Sequence, residues 1–141
     1  MEYVVATDGS EVSEAAIEHA AVQTSVWEGT LTIVHVLTPE ARVVEGALVV
    51  PGGEEAITHG KRILEDAAET AATALERRAA DVELETELLT GLPAEAIADY
   101  AEESDAEGIF VGHRGLSEDE GVGSVAKTVV DKATVPVTII K

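Results

Sequence analysis

The sequence predicts an α/β fold in which five strands alternate with four helices around an open, mainly parallel sheet with helices on both faces. Three observations carry this expectation. Short apolar runs rich in valine and isoleucine recur along the chain, as strands buried on both faces require. Stretches with helical apolar spacing fill the intervals between them. The breaks carry glycine, proline, serine or threonine, and no stretch reads as a linker between domains, so residues 1–141 are expected to form one domain.

Tyr3-Val4-Val5-Ala6 is the first apolar run. Thr7-Asp8-Gly9-Ser10 breaks it, and Ser10 is a natural N-cap for a helix in which Val12, Ala16, Ala20 and Thr24 recur, to about Trp27. Thr30 to Leu37 is the second strand, and Thr38-Pro39 ends it. Pro39 to Gly53 is less regular; its Val43 to Val50 portion reads as a lid, part of an interface, or a loop packed on its own domain. Ile57, Leu64, Ala68, Ala71 and Leu75 then define one long amphipathic helix, about 54 to 79. Val82, Leu84, Thr86 and Leu88 alternate with Glu83, Glu85 and Glu87, a period of two with one wet face that suits a sheet edge. Gly91-Leu92-Pro93 turns into a helix with Pro93 near its start, carrying Ile97 and Tyr100-Ala101. Ile109-Phe110-Val111 is a short buried strand that runs into a glycine-rich loop at Gly112. Gly123-Ser124 opens the last helix, and Val135 to Ile140 forms the last strand.

Composition limits the functional classes. Acids outnumber bases 28 to 9, a formal charge of −19. Hydrophobic residues still make up 45%, enough for a core and too many for an acidic disordered tail. Four Lys and five Arg cannot build a basic face, which argues against nucleic-acid binding driven by phosphate neutralisation. The chain has no Cys, so disulfides, thiolate catalysis and Cys zinc sites are out. No apolar run approaches the ~20 residues that span a bilayer. Met1-Glu2-Tyr3 enters a strand directly, without a basic region or cleavage site. A cytoplasmic protein is expected, with acidity suited to a salt-rich cytoplasm where self-repulsion is screened.

Two loops at strand ends carry residues suited to a ligand. One is Thr7-Asp8-Gly9-Ser10; the other is Gly112-His113-Arg114-Gly115, followed by Gly123-Ser124-Val125 at a helix start. Glycines let the backbone approach a ligand, amides at a helix N-terminus attract phosphate oxygens, and a strand-end Asp can accept from ribose hydroxyls. The bland readings are a tight turn for the glycines and a simple cap for Ser124. Neither GxGxxG nor a P-loop is present. His19, His35, His59 and His113 lie far apart and suggest no metal site; His35 reads as a packed, hydrogen-bonded histidine. Ser10, Asp8 and His113 could compose a hydrolase triad, but no nucleophile elbow accompanies them, so no catalytic residue is assigned.

Taken together, these segments resemble the universal stress protein family over almost the whole chain. The most telling parts are Ala6-Thr7-Asp8-Gly9-Ser10, Val34-His35-Val36, Gly91 to Ile97, Val111 to Ser117, Gly123-Ser124-Val125-Ala126 and Val135-Pro136-Val137. The resemblance implies a sheet in the order 3-2-1-4-5, the Rossmann-like three-layer arrangement of adenine nucleotide alpha hydrolases. It also implies an ATP-binding motif, G-x2-G-x9-G followed by Ser or Thr. Carried over by position, Thr7, Asp8 and Val36 would hold adenine and ribose. Val111, Gly112, Arg114, Gly115, Gly123, Ser124 and Val125 would lie around the phosphates.

This chain departs from the pattern. Residues 116 to 122 number seven where the motif has nine, and they include Glu118-Asp119-Glu120. Those carboxylates oppose a triphosphate unless salt screens them or Mg²⁺ bridges them; Arg114 is the nearest offset in sequence. The implied function is an adenine-nucleotide-binding (ATP) stress-response regulator or sensor, with any ATP hydrolysis slow and incidental. The alternative is a family member that binds no nucleotide and acts as a dimeric interaction module. A homodimer is expected through Val135 to Ile140, an apolar edge of the kind that pairs with another chain and one that family members commonly use.

Overall fold

Five strands form the parallel sheet. They are β1 (Glu2–Ala6), β2 (Thr30–Leu37), β5 (Glu83–Thr90), β6 (Gly108–Gly112) and β7 (Val137–Ile140), in spatial order β5-β2-β1-β6-β7. Counted along the chain, that order is 3-2-1-4-5, and every neighbouring pair is parallel. Helices α1 (Glu11–Val26), α2 (Glu54–Arg77), α3 (Pro93–Glu103) and α4 (Ser124–Lys132) supply the crossovers. The computed structural model describes residues 1–38, 42–44, 47–49, 53–113 and 122–141. No described helix is long and apolar enough to cross a membrane.

Because successive strand side chains point to opposite faces, the sheet builds two cores. Tyr3, Val5, Leu31, Ile33 and Phe110 pack under α1 and α2 with Ala16, Ile17, Ala20, Leu64 and Ala71. Val4, Val34, Ile109 and Val111 pack on the other face with Ile97 and Ala101 of α3 and Val129 of α4. The abundance of alanine on the helices lets them lie close to the sheet. Gly60 of α2 shows how close: a Cβ there would stand 2.9 Å from Leu88 Cδ1 and 3.3 Å from His35 Cδ2.

The element ends follow local chemistry. Ser10 caps α1, its side chain accepting from the Ser13 N–H. Pro93 occupies the first turn of α3, where its missing N–H costs nothing. The cap of α4 is Gly123 rather than Ser124, which is the first helical residue. β5 sits at the sheet edge, as its alternating glutamates indicate. β7 begins at Val137, two residues later than the apolar run, because Pro136 has no N–H for the ladder; its carbonyl accepts from Ile109 N at 2.9 Å. The stretch read as irregular holds a separate antiparallel pair, β3 (Arg42–Val44) and β4 (Ala47–Val49), in the register Arg42↔Val49. Two valine-containing runs separated by Glu45-Gly46 were the hairpin signal.

A polar cluster lies under α3. The Thr32 hydroxyl, fully buried, donates to Glu2 Oε1 at 2.7 Å. Half-buried Tyr100 is beside it, its pKa raised first by burial and then by the Glu2 and Glu87 carboxylates; a hydrogen bond with Thr32 pulls the other way, and Glu85 raises it further. A phenol whose pKa is higher folded than unfolded contributes stability below its unfolded value, near 10, and that contribution is lost as pH rises through the folded value. Urea midpoints measured from about pH 8 to about pH 11 are expected to fall above pH 10, and to fall less steeply in Tyr100→Phe. Identical alkaline slopes would show that Tyr100 carries no such linkage.

Candidate functional site: the crevice between β1 and β6

The sheet opens where its winding reverses, the usual place for a ligand in such folds. The β1–β2 pairing runs to Ala6↔Val34 and adds one more bond, Thr7 N–H to Val34 O at 2.9 Å. The β6–β7 pairing runs to Gly112↔Ile140. Between them, the β1–β6 pairing stops at Val5↔Phe110, although both strands continue.

Main-chain parity decides what faces the gap. In a parallel strand, alternate residues aim their N–H and C=O groups at opposite neighbours. Val34 O accepts from Thr7 while Leu37 O accepts from Gly91, so even-numbered residues of β2 face β1 and odd-numbered ones face β5. Val36 therefore presents its N–H and C=O towards β1, level with Asp8 and beyond the end of the strand. A continued ladder would join Val36 N–H to Thr7 O. Instead Thr7 O accepts from His35 Nδ1 at 2.8 Å, and since a carbonyl cannot donate, Nδ1 carries the proton. Among the described residues, no backbone acceptor for Val36 N–H lies across the gap.

The turn after β1 is held from within. Gly9 has φ of +85°, a left-handed conformation that side chains resist. Asp8 Oδ1 accepts from Ser10 N at 2.9 Å, and Thr7 Oγ1 accepts from Gly9 N at 3.1 Å. The buried hydroxyls of Thr7, Ser10 and Ser13 meet: Thr7 Oγ1 and Ser10 Oγ stand 3.0 and 3.2 Å from Ser13 Oγ, which itself donates to Ser10 O at 2.9 Å. Ser13 was not singled out from sequence; its spacing three residues past the Ser10 cap was the available signal. Half-buried Asp8 thus leaves a rigid turn at the rim of the gap.

On the far wall, Gly112 ends β6. His113 then donates its N–H to Ile140 O at 2.7 Å, and its ring Nδ1 lies 3.2 Å from the same carbonyl. Its own carbonyl accepts from Gly123 N at 2.6 Å, so the chain returns to its point of departure where α4 begins. The first α4 bond is Lys127 N–H to Gly123 O, which leaves the amides of Ser124, Val125 and Ala126 as the positive end of that helix. Ser124 and Val125 are exposed.

Thr7, Asp8, Val36, Gly112 and Gly123 are thus brought to the rims of one opening. Val111 is not: its side chain is buried against α3 and α4, and it pairs with Ile139 of β7. Ser124 and Val125 both line a separate groove of about 200 Å³ with Leu92, Thr128 and Lys132, where Lys132 also pairs with Glu95 at 3.1 Å. Arg114 and Gly115, together with Glu118-Asp119-Glu120, lie outside the described residues. Of the residues that could compose a hydrolase triad, Ser10 Oγ is engaged with Ser13, and His113 Nδ1 lies against Ile140 O. A larger hollow of about 420 Å³ at the opposite end of the sheet is lined by Glu2, Glu83, Glu85, Asp105 and Glu107, the wrong charge for a phosphorylated ligand.

The model of the universal stress protein family matches residues 2–141. A universal stress protein of Methanocaldococcus jannaschii is 30% identical over 98% of this chain and 80% of its own length. One from Bacillus subtilis is 33% identical over 98% of this chain and 97% of its own. The structure of the universal stress protein from Archaeoglobus fulgidus in complex with dAMP superposes with a TM-score of 0.77 at 30% identity, covering 100% of this chain and 98% of that one.

Proposed function

The chain belongs to the universal stress protein family, and on that premise we propose that it binds an adenine nucleotide in the crevice between β1 and β6 and acts as a regulator or sensor. The observation that carries this reading is the pair of Val36 main-chain groups directed into the gap. A neighbouring N–H and C=O complement the acceptor and amino donor on the Watson–Crick edge of adenine. Asp8, set on its turn, is placed to accept from ribose hydroxyls. Gly112 and the amides opening α4 suit the phosphate, and the resemblance adds Arg114 and Gly115. That the A. fulgidus relative binds dAMP supports the same ligand class.

The phosphate end sets the finer preference. With three acids between Gly115 and Gly123, each added phosphate meets more repulsion, so ATP binding calls for Mg²⁺ or molar salt while AMP is bound without a metal. Binding without turnover is the role proposed, with nucleotide favouring one arrangement of the chain that a partner protein reads. The exposed edge of β7 is the proposed contact of a homodimer, and the acidity is proposed as adaptation to high salt. The shortened acidic loop favours a second reading, a dimeric interaction module without nucleotide.

Calorimetric titration in molar KCl separates the two. AMP, and ATP with Mg²⁺, are expected to bind with similar affinity, while metal-free ATP binds about tenfold more weakly and CMP does not bind. Absence of binding by every adenine nucleotide at about 1 mM would leave the interaction module.

A further inference from the structure

We propose that His35 is a positioning residue that keeps the ligand crevice open by occupying Thr7 O, the main-chain acceptor that a continued β1–β2 ladder would use. The inference deepens the nucleotide-binding reading and rests on it for its ligand, though not for its geometry.

Thr7 N–H still bonds Val34 O at 2.9 Å, so β1 and β2 remain within pairing distance where β1 ends. The next bond of a parallel ladder is Val36 N–H to Thr7 O. Made, it would consume the amide proposed to meet adenine. The structure shows the imidazole there instead, with His35 Nδ1–H on Thr7 O at 2.8 Å. A side chain on β2 has taken the acceptor that the next residue of β2 would use.

Packing makes the substitution persistent. His35 lies on the α1/α2 face, where α2 crosses without a side chain at Gly60; a Cβ on Gly60 would approach the ring at His35 Cδ2 to 3.3 Å. The acceptor is equally restrained, because Thr7 is buried and its hydroxyl engages Gly9 N at 3.1 Å and Ser13 Oγ at 3.0 Å. Donor and acceptor are thus both placed before any ligand arrives, and among the described residues the Val36 amide has no backbone acceptor across the gap.

Two readouts on the full chain test this, one of which needs no nucleotide. In the ligand-free protein, Val36 N–H is expected to exchange with solvent about 100-fold faster than Val34 N–H, which lies within the β1–β2 ladder. His35→Leu removes the donor, so the Val36 amide is expected to turn onto Thr7 O, its exchange to slow towards that of Val34, and AMP affinity to fall about tenfold. His35→Asn carries an N–H at the matching position and is expected to keep fast exchange and affinity within about threefold of the parent. A Val36 amide as protected as Val34 in the parent overturns the proposal, as does a His35→Leu protein unchanged in both readouts. Should His35→Leu fail to fold, loss of affinity or slowed Val36 exchange in a folded His35→Asn overturns it. If AMP binds none of the proteins while exchange responds as described, the nucleotide reading fails and the role of His35 stands.

Discussion

Transfer from about 0.1 M to about 2 M KCl is expected to raise the melting temperature by roughly 10 °C. The cause is the −19 formal charge. Glu83, Glu85 and Glu87 are exposed at alternate positions of edge strand β5, and Glu65, Asp66 and Glu69 are exposed on α2. Alternate strand residues stand about 7 Å apart, where two unit charges repel by about 0.6 kcal/mol in water. The screening length shrinks from about 10 Å at 0.1 M to about 3 Å at 1 M, which removes most of that repulsion. Over the whole surface, relief of about 3 kcal/mol corresponds to roughly 10 °C for a domain of this size. Differential scanning calorimetry in KCl and in a second monovalent chloride checks it. Equal melting temperatures at low and high salt would mean that the acidity is not a salt adaptation.

Asp8→Ala is expected to weaken AMP binding by roughly 10- to 100-fold, the range for a hydrogen bond made by a charged group. The substitution acts twice: it removes the carboxylate proposed to meet the ribose, and it removes the Oδ1 that accepts from Ser10 N at 2.9 Å and shapes the turn. Asp8→Asn separates these effects, since an amide oxygen still accepts from Ser10 while the charge is gone. Intermediate affinity in Asp8→Asn, with thermal stability near the parent, is the expected pattern. If Asp8→Ala bound AMP as the parent does, Asp8 would have no part in the site.

What was legible in the sequence depended on how local the cause is. The wet glutamates of β5 mark an edge strand because alternation is written residue by residue, and Ser10 is identifiable as a cap because its partner Ser13 is three residues away. Pro136 delays β7 for a reason also present in the sequence, yet the apolar run around it masks the effect. The site was legible as two loops and as a resemblance, not as geometry. Which neighbour the main-chain groups of Val36 face depends on how β2 pairs with β1 and with β5, a property of three strands far apart in the chain. Val111 shows the same limit: its place in the motif is unchanged, but strand parity turns it towards the core and β7. His35 is identifiable as a hydrogen-bonded histidine, while its partner, Thr7 O, is defined only once β1 and β2 are paired.

The central claim is that adenine docks against the main chain of Val36, opposite Gly112. A crystal grown in molar KCl and soaked with AMP tests it most directly. Difference density for the base is expected within hydrogen-bond distance of Val36 N and O, with the ribose beside Asp8 and the phosphate towards the start of α4. Protein atoms filling that opening, or AMP bound elsewhere with Val36 untouched, would contradict it.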